Sequence, residues 1–394
     1  AVGNTALNAN TTGANNSAFG YQALQVNTIG TRNTAIGQQA LATNTTGGSN
    51  TSVGYQSLIN STGTNNSALG ARALYLNTTG IKNNAFGYYA LRNNTIGTGN
   101  SAFGQQALQN NTTGINNSAF GYQTLITNTI GTNNTAVGVN CMYYNTTGSS
   151  NTAVGRSALQ NNTIGTSNSA FGHYALLTNT TGGGNTAVGR SSLSGNTFGK
   201  YNSAFGYQSL FSNTTGDFNS AFGFQSLRNN TIGTNNSAFG IYALQSNTTG
   251  VKNVAVGRSA LQGNTIGASN SAFGYRALRY NTIGTNNNAF GQNALFSNTT
   301  GTHNVAFGRD ALSSNAIGTN NCAFGSYALT SNTTGRNSAF GYRALRLNTT
   351  GTHNAAFGYK VLEANTIGTN NTAIGNLSLS ANTTGSENTA VGES

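Results

Sequence analysis

One 17-residue sequence motif recurs along the whole chain and constrains the fold more than any other feature. Aligned on an asparagine, the repeats run from Asn16 to Asn388. Two steps are only 16 residues long, and these end at Asn66 and Asn337. The consensus is N-[ST]-A-[FVI]-G-x-x-[AS]-L-x-x-N-T-[TI]-G-x-x. A fixed period of this kind indicates stacked structural repeats, each stabilised by its neighbours.

The length and composition of the repeat favour β-structure. A helix pair needs ~34 residues or more, and Gly and Asn are poor helix formers. Segments such as SAFGYQAL alternate as strands do, and NTTG or NTIG predicts a turn whose glycine has a positive φ. The sequence therefore predicts an all-β fold, a parallel β-solenoid (β-roll) of about 23 coils at 17 residues each. We expect two short strands and two corners per coil.

Residues in the same slot of successive coils form what we call a column, and several columns have predicted structural roles. We expect one apolar column to pack with the leucine column as a narrow core, an asparagine column to form a hydrogen-bonded ladder, and the glycines to make turns. In the first coils these residues are Phe19, Gly20, Leu24, Asn27, Gly30, Ile36, Leu41, Asn44 and Gly47. The alanine that follows the first Ser or Thr of the repeat, replaced only by Ser52, marks a close approach, either by the opposite wall of the coil or by another chain.

The array is predicted to be continuous. We expect residues 1–394 to form a single repeat array, a fragment of a longer protein with partial repeats at both ends. No apolar stretch reaches the ~18 residues of a membrane span, so we expect no membrane insertion in this segment.

Ionisable residues are few and scattered. The chain has 17 Lys and Arg, 5 Asp and Glu, 3 His and a formal charge of +12. The cations form no basic run, so no specific nucleic-acid binding is predicted. The carboxylates and histidines form no acid–base pair or ligand set, so we expect no enzyme, no metal and no cofactor. Cys141 and Cys322 are interpreted as substitutes for small residues.

The two slots after the first glycine of the repeat are the candidate ligand face. Tyr, Gln and Arg recur there, and these side chains suit stacking on, and hydrogen bonding to, sugars or partner proteins. The alternative is that this face packs against a sister chain or keeps the solenoid soluble. The residues concerned are Tyr21, Gln22, Tyr55, Gln56, Tyr88, Tyr122, Gln123, Arg156, Arg190, Tyr207, Arg258, Tyr275, Tyr342 and Tyr359.

A threonine column follows the ladder asparagine, and the alignment shows it broken only by Ser61 and Ala316. A regular threonine array on a flat β-solenoid is the arrangement that ice-binding proteins use. The alternative is that each hydroxyl is hydrogen-bonded within its own turn.

The phrases NSAFGYQAL, NTAVGRSAL and NNAFGYYAL resemble the head repeats of trimeric autotransporter adhesins, whose core is an A-[IVF]-G-x-x-[AS] unit. They are also similar to the NTxxGYxAL repeats of phage and virus tail-fibre proteins. The resemblance covers the whole chain, although the unit is longer than the usual head repeat. It implies a left-handed parallel β-roll of three chains side by side, on a cell surface or a virion.

These observations predict a structural or adhesive segment of an extracellular or virion fibre. We expect self-association, as a homotrimer or an end-to-end filament, and weak contacts with glycans or other surface polymers. One alternative is an adhesin head that recognises glycans or host matrix. Another is an ice-binding solenoid that uses the threonine column.

Overall fold

Each repeat contributes one three-residue strand to a parallel sheet. The structure, a computed structural model, describes residues 1–393, and these residues form 23 strands and no helix. The chain divides into two compact units, Ala1–Phe198 and Gly199–Ser394. That residues 1–394 form a single domain stays a prediction.

Each unit is a parallel β-solenoid of short strands. The first unit contains β1 (Ser17–Phe19), β2 (Thr34–Ile36), β3 (Thr51–Val53), β4 (Ser67–Leu69), β5 (Asn84–Phe86), β6 (Ser101–Phe103), β7 (Ser118–Phe120), β8 (Thr135–Val137), β9 (Thr152–Val154), β10 (Ser169–Phe171) and β11 (Thr186–Val188). The second contains β12 (Ser203–Phe205), β13 (Ser220–Phe222), β14 (Ser237–Phe239), β15 (Val254–Val256), β16 (Ser271–Phe273), β17 (Asn288–Phe290), β18 (Val305–Phe307), β19 (Cys322–Phe324), β20 (Ser338–Phe340), β21 (Ala355–Phe357), β22 (Thr372–Ile374) and β23 (Thr389–Val391).

The strands pair with their equivalents one coil away. Between β1 and β2, Ala18 pairs with Ala35 and Phe19 pairs with Ile36. The short step from Asn50 to Asn66 keeps this register, because β3 pairs with β4 in the same way. Within each unit, equivalent strand residues of neighbouring coils therefore pair with one another, and the predicted parallel β-solenoid with a 17-residue repeat is confirmed.

The prediction of two strands per coil is wrong, since residues 1–393 contain one strand per coil. After the strand the backbone enters the left-handed region twice, with φ of 58° at Gln22 and 49° at Leu24. Left-handed residues cannot continue an extended strand. Hydrogen bonds still join neighbouring coils here, and the N–H of Leu24 donates to the carbonyl of Ala40 at 3.0 Å.

The core is lined by small side chains and leucine. Ala18, Ala23 and Leu24 are fully buried, whereas Phe19 is 48% exposed and Ile36 is 42% exposed. The prediction that Phe19 and Ile36 belong to the core is therefore wrong for this chain. The strand alternates as expected, but its alanine side faces inward.

The reason for this orientation is the narrow interior. The alanine column of the strand and the alanine column after the turn face each other across the coil. Where serines replace both alanines, the hydroxyl of Ser52 donates to the carbonyl of Ser57 at 2.8 Å. At the strand position such close walls leave room only for alanine or, in one coil, for serine. The neighbour that requires a small side chain at this position is thus the opposite wall of the same coil.

The two glycine columns are required for different reasons. Gly20 has a φ of 131°, which side chains rarely tolerate. Gly30, in the NTIG turn, does not have the positive φ that the turn pattern predicts. A Cβ at Gly30 would instead collide with the side-chain oxygen of Asn27 and the carbonyl oxygen of Gly47. Close approach of the next coil explains this glycine.

Candidate functional surface

The asparagine ladder predicted at the NTTG and NTIG turns is confirmed. Asn27 Nδ2 donates to Asn10 Oδ1 at 2.8 Å and to the carbonyl of Gly30 at 3.1 Å. Asn44 Nδ2 then donates to Asn27 Oδ1 at 2.8 Å, and both side chains are buried. Each amide therefore closes its own turn and links two coils.

A second asparagine ladder, which the sequence reasoning missed, begins each strand. The backbone N–H of Asn33 donates to Asn16 Oδ1 at 2.9 Å, and Asn33 Nδ2 donates to the carbonyl of Gly47 at 2.8 Å. Its signal was present in the sequence, since this asparagine is the residue on which the repeats align. The two ladders together fix the corner between them.

Ser61 does not occupy the threonine column, which corrects the alignment. It is buried, and its hydroxyl accepts a hydrogen bond from Asn77 Nδ2 at 3.0 Å, so it takes the place of a ladder asparagine. Thr62 donates to the carbonyl of Thr78 at 3.2 Å, as the threonine column does elsewhere. The residue that this shorter coil lacks is the exposed one between the threonine and the glycine.

The threonine column uses its hydroxyl donors between coils. Thr28 Oγ1 donates to the carbonyl of Thr45 at 3.1 Å, and Thr95 Oγ1 donates to the carbonyl of Thr112 at 3.1 Å. Bonding within the same turn was expected, but the acceptor lies one coil away. These hydroxyls serve the solenoid itself rather than an outward-facing donor array.

The predicted ligand face divides into an outer tyrosine column and a half-buried glutamine column. Gln39 Nε2 donates to Gln22 Oε1 at 2.9 Å, and Gln56 Nε2 donates to Gln39 Oε1 at 2.8 Å. Gln123 is bonded to Gln106 in the same way, at 2.8 Å. The glutamines therefore join coils. The predicted residues whose side chains are exposed are Tyr21, Tyr55, Tyr88, Tyr122, Arg156 and Arg190 in the first unit, and Tyr207, Arg258, Tyr275, Tyr342 and Tyr359 in the second.

A second exposed surface is the column that begins with Phe19, which we call the outer apolar column. Its rings stack in parallel: Phe86 and Phe103 have centroids 4.7 Å apart, and Phe103 and Phe120 are 4.9 Å apart. In the second unit Phe290 and Phe307 are 4.3 Å apart. Each column is a continuous apolar strip along its unit.

The described residues offer little reactive chemistry. Residues 1–393 contain no group of three or more His, Cys, Asp or Glu side chains that could hold a metal ion. Within the same residues, no helix has the length and apolarity needed to span a membrane. Cys141 is buried and Cys322 half-buried, and both are free thiols. Burial raises the pKa of Cys141 to about 12.

A comparison with protein-family models finds no match, and a comparison with curated proteins finds none either. The fold defines the class of the protein, a repetitive parallel β-solenoid. Its in-register stacking, two asparagine ladders and buried leucine column make it rigid. Such an architecture fits a structural, fibre-like role.

Proposed function

We propose that the chain is a non-enzymatic structural segment of an extracellular or virion fibre, and that copies of it associate side by side through the outer apolar column. The observation that carries this proposal is the exposure of that column. Phe103 is 37% exposed, Phe120 40% and Val137 37%, although all three are large apolar side chains. Water-exposed apolar strips of this kind usually mark an interaction surface.

The area of the strip is sufficient for a stable interface. Each of the eleven strands β1–β11 contributes one residue of the outer apolar column. At roughly 70 Å² of exposed area per residue, the column presents about 800 Å² in the first unit. A standard protein–protein interface buries about 800 Å² on each partner. The regular stacking also favours a second copy as the occupant, because its column has the same repeat spacing.

The resemblance to adhesin-head and tail-fibre repeats supports three chains around one axis and a position outside the cell or on a virion. In this assembly the mechanism is mechanical. Each coil packs on its neighbours through columns of hydrogen bonds and leucines, so bending a solenoid unit requires many of these contacts to deform together. As part of a fibre, such a unit would act as a stiff spacer between the surface to which the fibre is attached and whatever the fibre carries.

Sedimentation velocity on the purified chain tests the assembly. We expect the wild-type protein to be a trimer, and Phe103→Lys combined with Phe120→Lys to shift it to a monomer. The matched control is Ile130→Lys combined with Ile164→Lys, which adds the same charge at two other exposed apolar residues, each 53% exposed. This control variant should stay trimeric. A monomeric wild-type protein at about 10 μM, or equal dissociation of both variants, would contradict the proposal.

A further inference from the structure

The first unit carries positive charge with no carboxylate to balance it. All five acidic side chains belong to the second unit, namely Asp217, Asp310, Glu363, Glu387 and Glu393. The second unit uses some of them in ion pairs, such as Arg346 with Glu363 at 3.0 Å. No arginine of the first unit has a carboxylate side chain of that unit to pair with, so no acidic side chain of the unit neutralises its guanidinium groups.

Two of these arginines lie among four tyrosines in neighbouring coils, and we call this group the tyrosine–arginine cluster. Its members are Tyr55, Arg72, Tyr75, Tyr88, Tyr89 and Arg92. The guanidinium carbon of Arg72 lies 5.7 Å from the ring centre of Tyr55 and 5.6 Å from that of Tyr75. That of Arg92 lies 5.0 Å from the ring of Tyr89 and 5.7 Å from Tyr75. Aromatic faces stabilise both cations without neutralising them.

The Arg72 side chain is held in one orientation. Its Nε donates to Gln56 Oε1 at 3.0 Å, and its Nη1 donates to the Tyr89 hydroxyl at 3.2 Å. A guanidinium has five N–H donors, and the Tyr55 hydroxyl also interacts with this one, so these contacts still leave donors for a ligand. The hydrogen bond to Tyr89 also raises the pKa of Arg72. The cation is therefore positioned in advance and still has free donors.

Arg92 and Tyr88 supply the other requirements of a binding site. The Nε of Arg92 is buried and has no hydrogen-bond partner. Tyr88 stacks on Tyr89 with ring centres 3.9 Å apart, which fixes its ring while the side chain stays 47% exposed. Arg92 Nη1 donates to Asn93 Oδ1 at 3.2 Å, and the rest of its half-buried guanidinium group has no hydrogen bond to protein within residues 1–393. A fixed, exposed aromatic ring in the same cluster as a guanidinium group suits a ligand that has both a flat apolar face and an anionic group.

We propose that the tyrosine–arginine cluster binds acidic sugar residues of a polysaccharide. The sugar ring packs on Tyr88, and its carboxylate or sulfate group accepts hydrogen bonds from Arg72 and Arg92. Planar guanidinium groups match such anions with paired donors. The inference does not depend on the proposed fibre assembly, because all six residues belong to one chain.

A sugar fits the cluster better than a nucleic acid does. Single-stranded nucleic acids are bound along a groove whose cations follow the backbone over several nucleotides. The first unit has only four other Lys and Arg residues, Arg32, Lys82, Arg156 and Arg190. They are spread over the repeats, and only two cations are concentrated in the cluster. One or two acidic sugars match that charge.

Isothermal titration of the full chain with defined oligosaccharides tests the proposal. The probes are a sulfated heparin oligosaccharide, a carboxylated oligogalacturonate, a neutral dextran oligosaccharide and an oligothymidylate. The variant Arg72→Gln/Arg92→Gln removes both guanidinium groups. Arg32→Gln/Lys82→Gln is the matched control, since it removes the same charge from two exposed cations of the same unit that lie outside the candidate ligand face. Circular dichroism verifies that each variant is folded.

We expect the wild-type chain to bind one or both acidic oligosaccharides and not the dextran, with the pair of probes showing which anion is preferred. Arg72→Gln/Arg92→Gln should weaken binding roughly tenfold or more, because each guanidinium loses charge-assisted hydrogen bonds. The control should stay within about twofold. Tyr88→Ala should also weaken binding although it changes no charge, and it keeps the test decisive if the arginine variant does not fold.

Four results would overturn the proposal: no binding of either acidic probe at millimolar concentration, equal losses in the cluster variant and the control variant, equal binding of dextran, or tighter binding of the oligothymidylate. Equal losses would indicate diffuse attraction by net charge rather than a site. Sedimentation of the same samples reports assembly separately, so failure of the sugar site and failure of the fibre proposal can be distinguished.

Discussion

The asparagine ladder makes a quantitative prediction at Asn162. Its Nδ2 donates to Asn145 Oδ1 at 2.7 Å and to the carbonyl of Gly165 at 3.0 Å, and its Oδ1 accepts from Asn179 Nδ2 at 2.8 Å. Asn162→Ala removes all three bonds inside a fully buried column. The neighbouring Asn161, whose side chain is half-buried, offers a matched control one residue away.

The expected loss of stability in Asn162→Ala depends on which groups lose their hydrogen-bond partners. Asn145 Oδ1 accepts no other hydrogen bond here, so the variant leaves a buried oxygen unpaired at about 1–3 kcal/mol. Asn179 keeps its bond to Gly182 at 2.9 Å, and Gly165 keeps the one from Asn151 at 2.9 Å, so each loses about 1 kcal/mol. We expect Asn162→Ala to lower the free energy of unfolding by about 4 kcal/mol, and Asn161→Ala by about 0.5 kcal/mol or less.

Urea unfolding followed by circular dichroism measures the difference between the two variants. Native-state hydrogen exchange on peptides from residues 145–179 then locates it, because a solenoid can lose one interface between coils before it unfolds as a whole. Asn162→Ala should increase exchange in these peptides and leave distant coils unchanged. Equal unfolding free energies for the two variants, within about 0.5 kcal/mol, would refute the ladder as a source of stability.

Two further predictions concern the turn glycine and the thiols. Gly165→Ala should lower the free energy of unfolding by about 2–4 kcal/mol, since the added Cβ would collide with Asn162 Oδ1. Gly183→Ala should lower it by under about 1 kcal/mol, because that Cβ would lie 3.1 Å from the nearest atom. Thermal melts of both variants compare them directly. At pH 8 a thiol reagent should label Cys322 of the folded chain slowly and leave Cys141 unlabelled. Burial raises the pKa of both thiols, but Cys322 is only half-buried and can be reached by the reagent, whereas Cys141 is fully buried and its pKa is raised to about 12, which keeps it a neutral thiol at this pH. Labelling both thiols at equal rates in the folded state would contradict this.

The stack of coils could be predicted because its signals are local or strictly periodic. The 17-residue spacing predicts the columns, and the NTTG and NTIG turns predict the corners. The orientation of the strand could not be predicted in the same way. Alternation indicates that Ala18 and Phe19 point to opposite faces, but not which face is inside. Hydrophobicity favours Phe19 as the inward-facing residue, but the narrow interior of the coil places Ala18 there instead. The width of that interior is a property of the whole coil and cannot be read from any single slot.

The candidate site was predicted only in part, for a related reason. Tyr55 and Tyr88 occupy the slot that was singled out, and both are exposed. Arg72 occupies the second of the two slots singled out, the slot of Gln22, although it was not named there. Tyr75 and Arg92 occupy the slot after the column leucine, and their proximity to Arg72 and Tyr89 depends on how the backbone turns back after that leucine. To predict a contact between different slots of adjacent coils, the path of the backbone must be known. To predict a contact within one slot, the repeat period is sufficient.

The in-register fold also explains the unusual composition. Identical slots lie about 4.8 Å apart in a parallel stack, so two like charges there repel by about 1 kcal/mol in water and by about 3–4 kcal/mol at an effective dielectric constant near 20. Asn, Gln and Thr carry both a donor and an acceptor and can pair with themselves from coil to coil, whereas Lys, Arg and ionised Asp or Glu cannot.

A chain built in this way should therefore be rich in neutral polar residues, and only 6% of this one is charged. Arg343 and Lys360 are adjacent in one column, and the Glu363 carboxylate lies 3.7 Å from Arg343, where it offsets the repulsion. In the first unit no such carboxylate exists, and Arg72 and Arg92 occupy different columns with tyrosine rings between them. Two cations can be concentrated there because aromatic faces separate them, and this arrangement leaves their charge available to an acidic ligand.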